Sequence, residues 1–134
     1  MRCYKLKIRD EYTCPLEVVH DVIKGKWKTI ILWQLKYGPT SLSKLKNDIA
    51  GISEKMLLEQ LNELKEFGLI NKINSNGYPL HVEYFLTGDR GKKIIPALEI
   101  LQSIGVDYMT QHGMTEISDP KGIFYSTEYP QKSK

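Results

Sequence analysis

A row of polar side chains recurs at helical spacing between residues 53 and 66. Lys55, Glu59 and Asn62 are separated by four and then three residues, so a helix places them on one face. The opposite face of the same helix carries leucines, namely Leu57, Leu61 and Leu64. A lysine donates hydrogen bonds to guanine and a carboxylate accepts them from cytosine. The row therefore predicts contacts with base edges, and a merely solvated face is the alternative for each residue taken singly.

The thiol of Cys14 is the second chemical candidate. Pro15 suits the first position of a helix, which makes Cys14 the residue that caps it. A thiol there feels the positive end of the helix dipole, and the sequence places further cations nearby, at Lys5, Lys7, Arg9 and Lys24. Both effects favour the thiolate, so we predict a reactive cysteine. The alternative is a small residue that only caps the helix.

Other chemistries find little support in the sequence. His20, His81 and His112 do not cluster with cysteines at metal-ligand spacing. There is no phosphate-binding loop and no dinucleotide fingerprint. A thiol enzyme built on Cys14 lacks an evident base. We therefore expect no catalytic activity, no metal and no cofactor.

Length and composition describe one soluble domain of 134 residues. No apolar run approaches the roughly 20 residues that span a bilayer, and the N-terminus lacks the apolar segment of a secretory signal. We expect a cytoplasmic protein without membrane contact. The net charge is +3, and residues 1–40 carry eight Lys or Arg against four acids. This basic N-terminal third suits a nucleic-acid partner.

Periodicity and capping residues predict the elements that position these side chains. In chain order we expect helices at 15–25, 27–37, 41–49 and 54–67, strands at 69–73 and 81–86, and a last helix reaching about residue 110. Ser53 should cap the fourth helix and Gly68 should end it. Thr87 should cap the last helix, which contains Pro96. The chain then divides into an arm at 1–13, a domain at 14–110 and a tail at 111–134.

The order of these elements predicts the fold. A short helix joined by a tight turn to a longer one describes a helix–turn–helix, whose second helix enters the major groove. The hairpin that follows has a polar tip containing Gly77 and is the expected wing. We predict an α+β, mostly helical fold: a winged helix–turn–helix with a two-stranded wing and flanking dimerisation helices. The alternative is a generic α+β domain in which the hairpin only closes the core.

Segments at ordered spacings between residues 12 and 110 extend this interpretation. They are Cys14-Pro15-Leu16-Glu17, Ile23-x-Gly25-Lys26-Trp27, Gly51-Ile52-Ser53-x-Lys55-Met56-Leu57, Leu61-x-x-Leu64, Gly68-Leu69-Ile70, Val82-Glu83-Tyr84-x-Leu86-Thr87 and Gly91. Together they resemble the HxlR-type winged helix–turn–helix regulators of bacteria, relatives of the MarR group. The resemblance implies a homodimeric transcription factor with dimer contacts from its first and last helices, and oxidant or electrophile sensing at the position of Cys14.

The expected partners are double-stranded DNA, bound as an inverted-repeat operator, a second copy of the chain, and an oxidant or small electrophile. In the last helix, Leu98, Leu101 and Ile104 should pack against the second copy. The predicted DNA contacts are Ser41, Lys44, Ser53, Lys55, Met56, Glu59, Asn62, Lys72, Asn76, Tyr78 and His81.

Two departures from the family pattern leave other functions open. The family usually has a basic residue where His81 stands, and Glu59 and Glu66 make the recognition helix acidic. Phosphate contacts must then come from elsewhere, with candidates in the arm and at Lys44, Lys46 and Lys72. One alternative is a winged helix used for protein–protein contact. Another is a regulator that responds to a small aromatic ligand at the dimer interface.

Overall fold

The computed structural model describes residues 8–74 and 81–114. Within these residues the elements are α1 Pro15–Ile23, α2 Lys28–Leu35, β1 Thr40–Ser41, α3 Leu42–Asp48, α4 Glu54–Phe67, β2 Ile70–Asn74, β3 Val82–Leu86 and α5 Arg90–Gln111. The predicted contacts Asn76 and Tyr78, the first part of the arm and most of the tail lie outside the described residues. The predicted mostly helical α+β fold is confirmed.

The ends of α1 and α4 follow the local signals in the sequence. Pro15 is the first residue of α1 and Cys14 is its N-cap, as predicted. The Ser53 hydroxyl oxygen accepts the backbone N–H of Met56 at 3.1 Å and so caps α4. Gly68 ends α4 with a φ of +90°, a left-handed conformation that favours glycine. Both predicted caps of α4 are confirmed.

The three strands form one antiparallel sheet in the order β1-β3-β2. The predicted hairpin pairs Ile70 with Leu86 at one end and Asn74 with Val82 at the other. Strand β1, in which Thr40 pairs with Tyr84, adds a third strand that we did not predict. A two-residue strand carries no periodicity, because its pairing depends on a partner more than forty residues away.

The hydrophobic core lies between α2, α4 and the sheet. The leucine stripe of α4 is fully buried, as its spacing predicted. It packs in one cluster with Val22, Ile31, Leu32, Trp33, Leu35, Leu45, Ile49, Ile52, Leu69, Ile70, Tyr84, Leu86 and Leu98. Each buried leucine contributes about 1.5–3 kcal/mol, so this stripe is the main anchor of α4.

The start of α5 is tied to the end of α4 through Thr87. We predicted Thr87 as the N-cap of the last helix, but Asp89 occupies that position. The Thr87 hydroxyl still accepts the N–H of Gly91 at 2.7 Å, and it donates to the carbonyl oxygen of Gly68 at 2.8 Å. One side chain thus serves both helix ends. Pro96 is exposed within α5 and does not end the helix.

Helix α5 carries an exposed apolar face. Leu98 belongs to the chain's own core, with 5% of its surface exposed, so its predicted contact with a second copy is wrong. Further along the helix, four large apolar residues are each more than half exposed, namely Ile100, Leu101, Ile104 and Tyr108. We call these four residues the α5 apolar face. Leu16 at the start of α1 is also exposed.

Replacing Gly91 with alanine should destabilise the fold. A Cβ on Gly91 would lie 2.1 Å from the carbonyl oxygen of Leu69, so the backbone at Leu69 or at residue 91 would have to move to accept an alanine. We expect the free energy of unfolding, measured with urea, to fall by about 1–3 kcal/mol. The matched control is Gly88→Ala, because a Cβ on Gly88 meets no atom within 4 Å and should change stability by less than about 1 kcal/mol. Equal stability of the two variants would contradict this packing.

Candidate nucleic-acid interface

Helices α3 and α4 meet at a tight turn over residues 49–53. Ile49 and Ile52 bury their side chains in the core, which holds both arms of the turn to the domain. Gly51 between them has a φ of +87°, a conformation that favours glycine. The turn leaves a cleft of about 740 Å³ between the two helices, with polar groups from Ser43 and Lys46 in its lining. This geometry is that of a helix–turn–helix.

The predicted polar row lies on the side of α4 that faces away from the core. Lys55 and Asn62 are exposed and Glu59 is partly exposed, whereas the leucine stripe beneath them is buried. The structure therefore brings these three side chains together on one accessible face. We call Lys55, Glu59 and Asn62 the α4 polar face.

Three other predicted contacts serve local structure as well. The Ser41 hydroxyl oxygen accepts the backbone N–H of Lys44 at 3.1 Å and caps α3. The Lys44 ammonium forms an ion pair with Asp48 one turn later, although its side chain is 63% exposed. Met56 is partly buried, and its sulfur accepts the side-chain amide of Gln60 at 3.2 Å. These groups flank the α4 polar face rather than extend it.

The wing presents charge of both signs in its described residues. Lys72 on β2 is exposed. His81 precedes β3, and its Nε2 lies 3.1 Å from a carboxylate oxygen of Glu83. Both of these side chains are solvent-accessible. A phosphate that approaches His81 therefore also meets Glu83.

The Cys14 thiol is exposed at the start of α1. The Glu17 carboxylate folds back over the same turn, where one oxygen accepts the backbone N–H groups of Thr13 and Cys14 at 3.0 Å each. Its other oxygen accepts from the Arg9 guanidinium at 3.0 Å. The Glu17 side chain thus holds the segment before α1 to the first turn of this helix.

Arg9 and Lys24, two of the cations predicted to assist Cys14, form ion pairs with acids on α1. The Arg9 guanidinium donates to Asp21 at 2.8 Å, and the Lys24 ammonium lies 3.7 Å from the same carboxylate. The Tyr12 hydroxyl also donates to Asp21, and together with Arg9 it holds the pKa of that carboxyl below its ordinary value. The acids of α1 thus offset the positive charge that Arg9 and Lys24 were expected to add near the thiol, while Lys5 and Lys7 lie outside the described residues.

A buried cation that we did not predict, Lys28, contacts the flank of α4. The Lys28 ammonium donates to Gln60 at 2.8 Å and to Glu63 at 2.6 Å. At the end of α4, the Arg90 guanidinium donates to the carbonyl oxygen of Phe67 at 2.7 Å. A lysine in the otherwise mostly apolar sequence of α2 was the available signal for the first contact, but its partners lie more than thirty residues away.

Within residues 8–74 and 81–114, no three His, Cys, Asp or Glu side chains come together as a metal site. In the same described part, no helix combines the length with the apolar character that crossing a membrane requires.

Comparison with known proteins decides the family. The model of the HxlR-like helix-turn-helix family matches residues 22–113. The chain belongs to this family. An uncharacterized HTH-type transcriptional regulator of Methanothermobacter thermautotrophicus is 41% identical over 99 residues, which cover 74% of this chain and 75% of that relative.

Solved structures of transcriptional regulators are similar to this chain. The HTH-type transcriptional regulator ytcD superposes with a TM-score of 0.68 at 37% identity, over 73% of this chain and 99% of that chain. The oxidised form of the redox regulator HypR superposes with a TM-score of 0.66 at 31% identity, over 70% of this chain and 96% of its own. The protein is a DNA-binding regulator of transcription, and its family is not typically enzymatic.

Proposed function

We propose that this regulator binds an inverted-repeat operator as a homodimer, and that oxidation or alkylation of Cys14 changes its affinity for DNA. The observation that carries the DNA-binding part is the α4 polar face. Three side chains that can hydrogen-bond to base edges are accessible on α4, and buried leucines anchor the opposite side of this helix. Such a helix can enter a major groove without losing its own packing.

Each member of the α4 polar face suits a different base edge. The Lys55 ammonium donates to the N7 and O6 acceptors of guanine, and the Glu59 carboxylate accepts from the amino group of cytosine. The Asn62 amide both donates and accepts, which matches adenine. Ser53 lies two residues before Lys55, and its hydroxyl hydrogen is available to a neighbouring base or phosphate because its oxygen alone is used as the cap.

Phosphate contacts come from the elements on either side of α4. Lys44 and Lys46 lie on α3 and Lys72 lies on the wing, and all three side chains are exposed. Lys44 must exchange its contact with Asp48 for a phosphate oxygen. Exposed ion pairs are worth little in water, about 0–1 kcal/mol, so a phosphate can compete for this ammonium.

The α5 apolar face supports the homodimer. Contiguous exposed apolar surface on a small soluble protein commonly marks an interaction site, and Leu16 of α1 adds a further exposed apolar side chain. A two-fold dimer presents two copies of α4 to successive major grooves, so the half-sites should lie about 10 base pairs apart.

Three observations support Cys14 as the regulatory thiol. Its side chain is exposed, it caps the first turn of α1, and the structurally similar HypR is described as a redox regulator. A hydroperoxide would oxidise the thiolate to a sulfenic acid: the sulfur takes the terminal OH as the O–O bond breaks, and the departing hydroxide or alkoxide takes a proton from solvent. Since Leu16 lies two residues from this thiol, the added group alters the surface next to the proposed dimer contact.

Lys55→Ala should weaken binding to the operator. The loss of a good base contact costs about 1–3 kcal/mol, which we expect in the affinity for an operator selected from random duplexes. The matched control is Lys65→Ala, which removes the same charge from another exposed position of α4 and should have a smaller effect. Equal losses in both variants would show that only charge matters and would remove Lys55 from the base-contacting set.

Ile104→Glu should dissociate the dimer. A carboxylate in the middle of the α5 apolar face must be desolvated without a partner if the two copies are to pack there. We expect sedimentation at micromolar concentration to give a dimer for the unsubstituted protein and a monomer for this variant. Thr110→Glu adds the same charge at an exposed position on another side of α5 and should remain dimeric. A monomeric unsubstituted protein would contradict the dimer and the inverted repeat together.

Cys14→Ser should abolish the response to oxidants. We expect treatment with a mild hydroperoxide to change the operator affinity of the unsubstituted protein at least several-fold, on the order of the 5–150-fold range of allosteric couplings, and to leave Cys14→Ser unchanged. Cys3→Ser is the control for the other thiol and should respond as the unsubstituted protein does. If Cys14→Ser still responds, the sensing group is elsewhere.

A further inference from the structure

Lys28 is a buried cation in the first turn of α2. Only 6% of its surface is exposed, and its ammonium donates to the side-chain oxygens of Gln60 and Glu63 at 2.8 and 2.6 Å. Both acceptors belong to α4, on the flank between the buried leucine stripe and the α4 polar face. The ammonium thus holds the recognition helix at a point where apolar packing gives way to solvent.

The contact constrains geometry more than it stabilises the fold. Replacing a buried ion pair by apolar groups of similar volume is often neutral or stabilising, because the desolvation of two charges offsets their attraction. Hydrogen bonds, however, depend on direction and are lost over a few tenths of an ångström. The hydrophobic effect that buries the leucines, by contrast, has no preferred direction. The Lys28 contacts therefore restrict the rotation of α4 about its own axis.

The rotation of α4 decides which atoms meet the bases. Side-chain tips lie about 5–6 Å from a helix axis, so a rotation of about 20° moves them by roughly 2 Å. That displacement exceeds what a hydrogen bond to a base edge can absorb. Gln60 also donates to the Met56 sulfur at 3.2 Å, so the same network reaches the first turn of α4, next to Lys55.

The residue before Lys28 supports the turn that leads into α4. A Cβ on Gly51 would lie 3.8 Å from the Trp27 ring, so the indole packs beside the helix–turn–helix turn. Trp27 thus packs beside the turn between α3 and α4, and the next residue, Lys28, contacts α4 itself. The Gly25-Lys26-Trp27 segment belongs to the pattern that resembles the family. Lys28 is the next residue and is not part of that pattern.

We propose that Lys28 is a specificity-determining positioning residue: through Gln60 and Glu63 it sets the rotation at which the α4 polar face meets the bases. The proposal rests on the base-contacting role given above to that face. It assigns Lys28 no contact with DNA, since only 6% of the surface of this residue is exposed.

The test uses the double variant Lys28→Met/Glu63→Leu. It removes one charge of each sign, so the net charge and the phosphate-driven affinity for random duplex should stay the same. We expect a free energy of unfolding close to that of the unsubstituted protein. The ratio of operator affinity to random-duplex affinity should fall about tenfold or more, the cost of one or more misplaced base contacts. An unchanged ratio in the folded double variant overturns the proposal.

Two single variants provide the matched comparison and a second test. Glu63→Gln keeps an oxygen that accepts from Lys28 and should keep the ratio, whereas Glu63→Ala removes that oxygen and should lower the ratio about threefold or more. Glu63→Ala leaves the Gln60 contact in place, so it remains informative if the double variant does not fold. Equal ratios for Glu63→Gln and Glu63→Ala overturn the proposal.

Lys55→Ala, measured in the same assay, distinguishes the base-contacting role of the α4 polar face from the positioning role of Lys28. If Lys55→Ala lowers the ratio and the Lys28 and Glu63 variants do not, the positioning role is wrong while the α4 polar face stands. If Lys55→Ala leaves the ratio unchanged, the α4 polar face is wrong and the positioning role falls with it.

Discussion

The packing of Leu57, Leu61 and Leu64 against α2 is the interaction on which the rest of the structure depends. A helix that inserts into DNA must be held from behind, because its front and flanks are needed for contacts with bases and phosphates. Three fully buried leucines supply that hold. Their spacing in turn fixes which residues of α4 face solvent, so the hydrophobic core and the proposed DNA-contacting surface are two consequences of one helical period.

Hydrogen bonds from other elements further constrain α4, which the leucines anchor in the core. Lys28 bonds to the flank of α4, while Arg90 and Thr87 bond to the last carbonyl groups of that helix and its terminal glycine. Because Arg90 and Thr87 lie at the start of α5, the helix with the exposed apolar face is joined directly to the end of α4. In the proposed homodimer, a change in how two copies pack along α5 would therefore have a short physical route to α4, through hydrogen bonds rather than through the core.

Local signals in the sequence sufficed for the fold, and long-range pairing accounts for what was missed. The caps at Ser53 and Gly68 and the leucine stripe were predictable because each depends on neighbours within one or two turns. The two-residue strand β1, the burial of Leu98 and the acceptors of Lys28 all depend on distant segments. The pairing of Arg9 with Asp21, twelve residues away, was missed for a related reason. A count of nearby lysines and arginines does not show which of them are neutralised.

The position of β2 in the sheet has a consequence for self-association. The strand order leaves β2 at an edge, where unpaired backbone groups offer a template to any other extended chain. Its residues after Ile70 are exposed, and they include both Ile73 and Lys72. A charged side chain in the middle of an edge strand opposes stacking of a second strand, since that strand would have to desolvate the ammonium. Lys72, which we propose as a phosphate contact, therefore also opposes edge-to-edge aggregation of the free protein.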